Sequence, residues 1–345
     1  MSKKDIRSLS LDQIKIFFVK NNLEEYRGDQ LYSWLWEKSA LSFDQMTNLP
    51  KSVRSILEEN FVINHIEVNT IQKSRDGTIK NAIKLFDNLL VECVLIPTKN
   101  RITACISSQV GCSLNCKFCA TSKLKRMRNL NADEIYDQVV LISKQSKDYY
   151  NRALTNIVFM GMGEPLMNYN NVIKAIKMIT SKKGLGMSHK RIVVSTSGVP
   201  KMIKKMADEN VKFKLAVSLH SAIDDIRTSI MPFNEQMNLS ELKLALKYWY
   251  DKTKRVITYE YVIWKGINDS IDDANALADF CKFAPSKVNL IQYNSIDNDE
   301  FVQASPEKIN IYQEILEKNN INVTIRRSRG QDIDAACGQL ANKSS

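Results

Sequence analysis

Apolar residues recur at helical spacing through the first sixty residues of the chain. Ser10 and Gln13 form a capping-box signature, and the apolar positions that follow repeat every three or four residues. The same pattern continues through residues 50–61. It predicts a small helical domain over residues 1–62.

Between residues 63 and 100 the pattern changes to β-rich runs. Two such runs flank Asp76-Gly77, a dipeptide typical of a tight hairpin turn, and LLVECVLIP from Leu89 supplies a further strand. The sequence therefore predicts a β-hairpin and strand extension over residues 63–100.

From residue 101 to residue 345, strand-like runs alternate with amphipathic helical stretches. The predicted strands are ITACISSQ, NIVFM, RIVVST, FKLAVSL, VITYEYVIW and KVNLIQY. Repeated strand–helix units predict a parallel sheet with right-handed crossovers, which is either open and doubly wound or closed fully or partly into a barrel. In each of these folds, chemistry takes place at the carboxyl ends of the strands.

The unusual residues of this region follow the predicted strands. They are Cys112, Cys116 and Cys119 after the first strand, Gly163 and Glu164 after the second, Ser195 at the end of the third, Ser218, Leu219 and His220 at the end of the fourth, and Asn294 after the sixth. Because the carboxyl ends of parallel strands meet at one edge of a sheet, we expect these side chains to converge on one rim.

The three cysteines are spaced C-x-x-x-C-x-x-C, which suits a metal site, disulfides or a packed core. The polar start of the chain lacks the apolar region of a secretory signal, and no apolar run approaches the roughly 20 residues that span a bilayer. We therefore expect a cytoplasmic protein, in which clustered cysteines favour metal binding over disulfides. Structural zinc needs a fourth ligand, whereas a 4Fe-4S cluster on three cysteines leaves one iron open to a substrate.

The overall charge adds a candidate partner. The chain carries a formal net charge of +11, and its pI is about 9.2. This balance suits a polyanionic partner, with nucleic acid first and an acidic membrane surface second, but a basic enzyme without such a partner has the same composition. The basic runs at 123–128 and 326–330 are candidate RNA contacts.

The cysteine loop, with Phe118 directly before Cys119, resembles that of the radical S-adenosylmethionine (SAM) enzymes, in which the open iron binds the amino and carboxylate groups of SAM. Further motifs occur in the order seen in the dual-specificity adenosine methyltransferases, which methylate carbon 2 of an adenine in 23S ribosomal RNA and in transfer RNA. These motifs are SSQVGCSLNCKFCAT, RNL, FMGMGEPL, VSTSGV, SLHS, IMPFN, GIND and DIDAACGQL. The resemblance extends from residue 76 onward and implies a partial (β/α) radical SAM barrel with a small helical accessory domain that binds RNA.

The resemblance also implies a role for each residue of the rim. Cys112, Cys116 and Cys119 would bind the 4Fe-4S cluster. The residues that would bind SAM are Gly163, Glu164, Ser195, Ser218, Leu219, His220 and Asn294. Two SAM molecules would be used per turnover, the first to methylate Cys337 and the second to give a 5′-deoxyadenosyl radical that abstracts hydrogen from the S-methyl group.

Two further residues complete the implied reaction. The carbon radical on Cys337 adds to the adenine, Glu92 accepts the ring proton, and Cys105 forms a transient disulfide with Cys337 that releases the RNA. A carboxylate in the apolar strand LLVECVLIP is either partly buried or at a wet edge. From the residues alone, Cys337 also suits a small buried thiol, His220 a hydrogen-bonded core histidine, and Ser195 a helix cap.

Two positions depart from the family's pattern, since Ser122 and Lys125 stand where glycines are usual. Two alternative functions stay open at this point. One is an enzyme of the antibiotic-resistance type, which methylates carbon 8 of the same ribosomal adenine, and the other is a non-catalytic, zinc-containing RNA-binding protein. GMGEP and VECVLIP favour carbon 2. The resemblance further implies an external electron donor such as a flavodoxin, and we expect a monomer that does not bind a membrane.

Overall fold

The computed structural model describes residues 3–297 and 300–342, and in it helices flank one long sheet. The strands are β1 (Lys4–Asp5), β2 (Phe61–Val62), β3 (Glu67–Lys73), β4 (Ile79–Lys84), β5 (Leu90–Pro97), β6 (Ile102–Cys105), β7 (Gln109–Val110), β8 (Arg128–Asn129), β9 (Asn156–Phe159), β10 (Ile192–Thr196), β11 (Lys214–Ser218), β12 (Ile257–Val262), β13 (Ser286–Ile291) and β14 (Asn322–Arg326). The helices are α1 (Leu11–Lys20), α2 (Tyr26–Trp36), α3 (Lys51–Asn60), α4 (Ala120–Lys123), α5 (Ala132–Tyr150), α6 (Tyr169–Thr180), α7 (Pro200–Asp208), α8 (Asp224–Ile230), α9 (Leu239–Thr253), α10 (Ile271–Cys281) and α11 (Pro306–Lys318).

The long sheet has ten strands in the order β14-β13-β12-β11-β10-β9-β6-β5-β4-β3. The strands from β14 to β6 run parallel, and β5, β4 and β3 continue the sheet in antiparallel fashion. Within the described residues β14 and β3 are free edges of the sheet, so the barrel is partial, as predicted.

Strand β14 was not among the predicted strands. None of its residues is fully buried, so it lacks the apolar run by which the other strands were recognised. Its last residue, Arg326, is also the first residue of the basic run 326–330. The structure places Arg326 at the carboxyl end of an edge strand, beside the other strand ends.

Side-chain caps explain where several crossover helices begin. Asn238, Ser270 and Ser305 each accept a hydrogen bond from the backbone N–H three residues ahead, at the start of α9, α10 and α11 respectively. The predicted capping box of Ser10 and Gln13 is likewise present at α1. In the described part of the chain, no helix combines the length and the apolar character that crossing a membrane requires.

The N-terminal region packs against α5 through a buried ion cluster at Arg7 and an aromatic pair at the end of α2. Arg7 donates two hydrogen bonds to Asp137, at 2.8 and 2.9 Å, and one to Asp133 at 3.4 Å. Beside them, the rings of Trp36 and Tyr136 meet edge to face with centroids 5.2 Å apart. The helical region therefore shares one core with the sheet region, and the division of the chain at residues 62 and 100 stays a prediction.

Arg7→Leu is expected to lower the free energy of unfolding by about 3–5 kcal/mol, because it leaves buried carboxylates without their partner. Burial raises the pKa of Asp137 from 3.8 to about 7 even beside Arg7. Because the pKa of this carboxyl group is higher in the folded than in the unfolded protein, its contribution to stability is complete at a pH below its unfolded-state pKa. That contribution is lost as the pH rises through its folded-state pKa. Without Arg7 the pKa of Asp137 is higher still. In urea unfolding, the loss of unfolding free energy relative to the wild type should therefore be larger at pH 8 than at pH 6.

The matched control for this prediction is Lys183→Met. Lys183 pairs with Asp29 at 2.9 Å, but both side chains are well exposed. Exposed pairs are worth about 0–1 kcal/mol, so this variant should unfold close to the wild type. If Arg7→Leu lost the same unfolding free energy at pH 6 and at pH 8, the loss would not come from the titration of Asp137, and the prediction would be wrong.

Candidate active site

An open cavity lies at the carboxyl ends of the parallel strands. Its empty space is about 1040 Å³, counting the part that is open to solvent. Of the residues singled out from the sequence, those that line it are Cys112, Cys116, Cys119, Gly163, Glu164, Ser195, Ser218, His220, Asn294 and Cys337. The structure thus brings ten residues from six separate segments to one cavity of a size that suits a nucleoside-containing ligand.

Three of the predicted residues do not line this cavity. Leu219 is fully buried behind it, where its N–H donates to the Glu260 carbonyl at 3.0 Å. Cys105 is buried at the end of β6, and Glu92 is only 1% exposed on β5. The wet-edge alternative for Glu92 is therefore wrong, because β4 and β6 flank its strand on both sides.

The cysteine loop is closed by its own backbone and by one hydroxyl. Gly111 has a φ of +74°, and a Cβ on it would stand 2.4 Å from the Lys125 carbonyl oxygen, so only glycine fits there. The Ser122 hydroxyl donates to the carbonyl of Cys119 at 2.8 Å and also to that of Cys116. Ser122, one of the two departures from the family's pattern, therefore stabilises the loop.

The donor set of the loop suits an iron–sulfur cluster. Burial and then the neighbouring thiols raise the pKa of Cys116 well above its ordinary value, and burial raises that of Cys112 to about 11. Such thiols become thiolates only beside a cation, as a bound metal provides. Among the described residues no three His, Cys, Asp or Glu side chains can close around a single ion. A 4Fe-4S cluster does not require that, because each cysteine binds a different iron.

The loop after β9 is shaped by a glutamine that sequence analysis missed. Gly163 has a φ of +92°, and a Cβ on it would lie 2.4 Å from Cβ of Gln109. The Glu164 N–H donates to Gln109 Oε1 at 2.8 Å, and its buried carboxylate accepts from the N–H groups of Leu166 and Ser197 at 3.0 and 2.8 Å. Burial raises the pKa of Glu164. Gln109 belongs to the SSQVGCSLNCKFCAT motif, which was the available signal, but only its position against Gly163 and Glu164 reveals its role.

Gly163→Ala is expected to lower the free energy of unfolding by about 2 kcal/mol, because an L side chain meets both an unfavourable φ and the Gln109 side chain. The control is Gly266→Ala, which shares a positive φ of +72° but has no atom within 4 Å of the new Cβ. Thermal unfolding of the two variants separates steric overlap from backbone strain. Equal losses would mean that Gln109 moves aside without cost.

His220 is a neutral hydrogen-bond donor at the cavity wall. Its Nδ1 accepts from the Val262 N–H at 3.2 Å, so the ring hydrogen is assigned to Nε2. Burial, and then the charge of Arg227, lowers the pKa of His220 to about 3. Its ring contacts that of Phe118 at 4.9 Å, which joins the fourth strand end to the cysteine loop.

Arg227 is a second residue that sequence analysis missed. Its side chain is fully buried and donates to the carbonyls of Ser197 and Leu219 at 2.6 and 3.1 Å and to the Asn234 side chain. Burial lowers the pKa of Arg227 to about 10, while the nearby Cys116 thiol acts in the opposite direction. Asn234 belongs to the IMPFN motif, which was the one available hint that a buried polar partner lies nearby.

The segment around Cys337 is docked on the cysteine loop. Three of its backbone carbonyls accept hydrogen bonds. The Cys337 carbonyl accepts from the Asn294 side chain at 3.2 Å, that of Gly338 from the Ala120 N–H at 2.7 Å, and that of Leu340 from the Thr121 hydroxyl at 2.7 Å. The Cys337 thiol itself is exposed to the cavity. The alternative of a buried core thiol is therefore wrong for Cys337.

Cys105 and Cys337 share one electrostatic environment. Burial raises the pKa of Cys105 above its usual range, and the charge of Cys337 raises it further. Desolvation by the surrounding cavity walls also raises the pKa of Cys337, although the residue is open to the cavity, and Arg326 opposes the increase at both thiols. Arg326 Nη1 lies 3.0 Å from Glu260 Oε2, and both residues line the cavity. Arg326, the first residue of the basic run 326–330, therefore acts on the two thiols of the site.

Comparisons with known proteins place this geometry in a family. The radical SAM superfamily profile matches residues 106–280, and that of the ribosomal RNA large subunit methyltransferase N-terminal domain matches residues 4–63. The chain is 66% identical over 99% of both chains to the probable dual-specificity RNA methyltransferase RlmN of Flavobacterium psychrophilum. The chain belongs to the RlmN family. A crystal structure of a radical SAM methyltransferase from Sphaerobacter thermophilus is 37% identical, with a TM-score of 0.92 over 99% of this chain and all of the other.

RlmN membership confirms three predictions. The fold is the partial radical SAM barrel, the chain is an enzyme, and its cofactors are a 4Fe-4S cluster and SAM. The RlmN relative from Christiangramia forsetii, 66% identical over 99% of this chain and 97% of its own length, carries the same name. Neither the carbon 8 alternative nor the zinc-containing binding protein is favoured by these relatives.

Proposed function

We propose that this protein methylates carbon 2 of an adenosine in 23S ribosomal RNA and of an adenosine in transfer RNA. The observation that carries the proposal is the exposed Cys337 thiol at the cavity that the three loop cysteines line. The relatives' name, dual-specificity RNA methyltransferase, supports RNA as the substrate class. Carbon 2 is electron-poor and cannot attack a methyl donor, so a thiol that carries the methyl group to the ring suits the chemistry.

We assign the cluster to Cys112, Cys116 and Cys119, and SAM to the residues on the facing strand ends. When bound, the two cofactors supply the methyl group and a radical that activates it. Glu164 and His220 are rigid polar groups at the cavity wall, and Asn294 both faces the cavity and holds the Cys337 segment. Gly163, Ser195 and Ser218 allow the ligand a close approach, and Leu219 supports the wall from behind.

We assign the methyl carrier to Cys337 and the resolving thiol to Cys105. After the methylene group has joined the Cys337 sulfur to the adenine, the Cys105 thiol loses its proton and its sulfur bonds to that of Cys337. The sulfur–carbon bond breaks, its electron pair stays with carbon, and a proton completes the methyl group. The unpaired electron that the radical addition left on the ring passes to a one-electron acceptor, so that the released adenine is closed-shell. The resulting disulfide is then reduced by an external thiol. For this step the two sulfurs must come into bonding contact.

We assign the proton acceptor to Glu92. The C2 proton of the adduct must leave for the ring to regain its aromaticity, and a buried carboxylate is a suitable base. Glu92 does not line the cavity while the Cys337 segment is docked, because the backbone of that segment covers it. For Glu92 to reach the adenine, this backbone must therefore move away from it.

The remaining assignments concern partners. We propose that the helical region and the exposed part of the basic runs contact the RNA, that an external carrier such as a flavodoxin supplies the electron, and that the chain acts as a cytoplasmic monomer. Within the basic runs, Arg128 is bound to Glu134 and Asp87 at 2.6–2.8 Å. The exposed cations of these runs, which can contact phosphates, are Lys123, Lys125, Arg126, Arg327 and Arg329. Of these, Lys123 donates to the Asp297 carbonyl at 2.6 Å and Arg329 lies 3.9 Å from Asp76.

The experiment that tests the function is mass analysis of nucleosides after anaerobic incubation of the reconstituted protein with SAM, reductant and ribosomal or transfer RNA. We expect 2-methyladenosine from both RNA classes. 8-methyladenosine would move the protein to the resistance type. Formation of 5′-deoxyadenosine without any methylated nucleoside would mean that the substrate is wrong while the cofactor chemistry is right.

A further inference from the structure

A buried lysine with no role in the reaction described above lies beside Glu92. Lys80 is only 4% exposed, and its Nζ lies 3.3 Å from Glu92 Oε1. Val94 stands opposite Lys80 across β4 and β5, and Glu92 lies two residues along on the same face, the diagonal arrangement in which a long side chain reaches its neighbour. Buried ion pairs contribute little net stability compared with apolar residues of the same size, so stability alone does not account for this pair.

The other oxygen of Glu92 binds the C-terminal segment. Oε2 accepts from the N–H groups of Ala341 and Asn342 at 2.9 and 3.2 Å. Lys80 Nζ also donates to the Asp334 carbonyl at 3.4 Å, on the other side of Cys337 in the sequence. Lys80 and Glu92 together therefore hold both flanks of the segment that carries the thiol.

We propose that Lys80 is a positioning residue for proton transfer to Glu92, and that Glu92 alternates between the two amides of the docked segment and the adenine. Docked, Oε2 is occupied by Ala341 and Asn342. When the segment moves away from Glu92, those amides leave, and Lys80 keeps the carboxylate in place through its contact with Oε1. The C2 proton then passes to Oε2, the C–H electron pair stays in the ring, and the carboxylate becomes a neutral acid. This inference rests on the function proposed above.

The test in the full enzyme is Lys80→Met, with SAM, reductant and RNA. If Lys80 acts through Glu92, methylation of Cys337 proceeds at the wild-type level, because that step precedes proton transfer to Glu92 and the Asn294 contact with the Cys337 carbonyl remains in place. Formation of 2-methyladenosine falls at least about tenfold and the covalent protein–RNA adduct accumulates, because proton removal follows adduct formation. Lys80→Arg restores turnover to within about threefold.

Two comparisons make this test specific. Lys84→Met changes the same residue type on the same face of β4, where the side chain is half-buried, and should turn over like the wild type. In the Glu92→Gln background, Lys80→Met should cause no further loss, since residues that act through one group are not additive. Wild-type turnover by Lys80→Met, or loss of Cys337 methylation in parallel with loss of product, would overturn the proposal.

A measurement without cofactors or RNA separates this inference from the proposed function. Hydrogen exchange at the Ala341 and Asn342 amides should be at least about tenfold faster in Lys80→Met and in Glu92→Gln than in the wild type or Lys84→Met. Unchanged exchange would overturn the inference even if the wild type methylates RNA. A wild type that makes no methylated nucleoside, with exchange as expected, would overturn the proposed function alone.

Discussion

Cys337→Ala is expected to abolish RNA methylation and to leave the fold and the cluster in place. The contacts that hold its segment pass through the backbone carbonyls of Cys337 and Gly338, not through the sulfur. The substitution therefore removes the methyl carrier without undocking the segment. Loss of a covalent nucleophile costs several orders of magnitude, so 2-methyladenosine should fall by at least about a thousandfold in the nucleoside assay.

Cys281→Ala is the control for this result. Cys281 is also a cysteine, but it is buried at the end of α10 and does not line the cavity. This variant should keep its methylation activity and lose only some stability. The iron content and visible absorption of Cys337→Ala should match those of the wild type. A Cys337→Ala enzyme that still forms product at a tenth of the wild-type rate would assign the carrier to another residue.

Cys105→Ser is expected to stop the reaction with RNA covalently bound to the protein. Cys105 supplies the second sulfur of the disulfide, and a serine hydroxyl cannot form that bond. Methylation of Cys337 and addition to the ring precede this step, so both should proceed. Denaturing electrophoresis should show a protein–RNA species, and released product should fall at least about a hundredfold.

Cys93→Ser makes the same substitution at a fully buried thiol in the adjacent strand β5. This variant should be less stable than the wild type but should not trap RNA, because Cys93 has no role in the proposed reaction. The adduct of Cys105→Ser should also disappear when Cys337→Ala is added. Normal product release by Cys105→Ser would show that another thiol, or an external one, resolves the bridge.

Much of the fold follows from local pattern. The capping box at Ser10, the hairpin turn at Asp76-Gly77 and the six buried parallel strands are all visible in the sequence because each is a short-range feature. Strand β14 is not, since an edge strand without a buried face lacks the apolar run that marks the others. The convergence of strand-end residues was predictable because all the parallel strands end at one rim.

Spacing along the chain and the common direction of parallel strands were enough to predict the family, the cofactors and ten of the residues that line the cavity. Three features could be seen only once distant segments were packed together: Cys337 is exposed, Gln109 shapes the loop at Gly163, and the Glu92 carboxylate is bound by Lys80 and by the amides of Ala341 and Asn342. Lys80 and Ala341 are 261 positions apart along the chain. Contacts of this kind depend on how distant segments pack, and no local pattern encodes them.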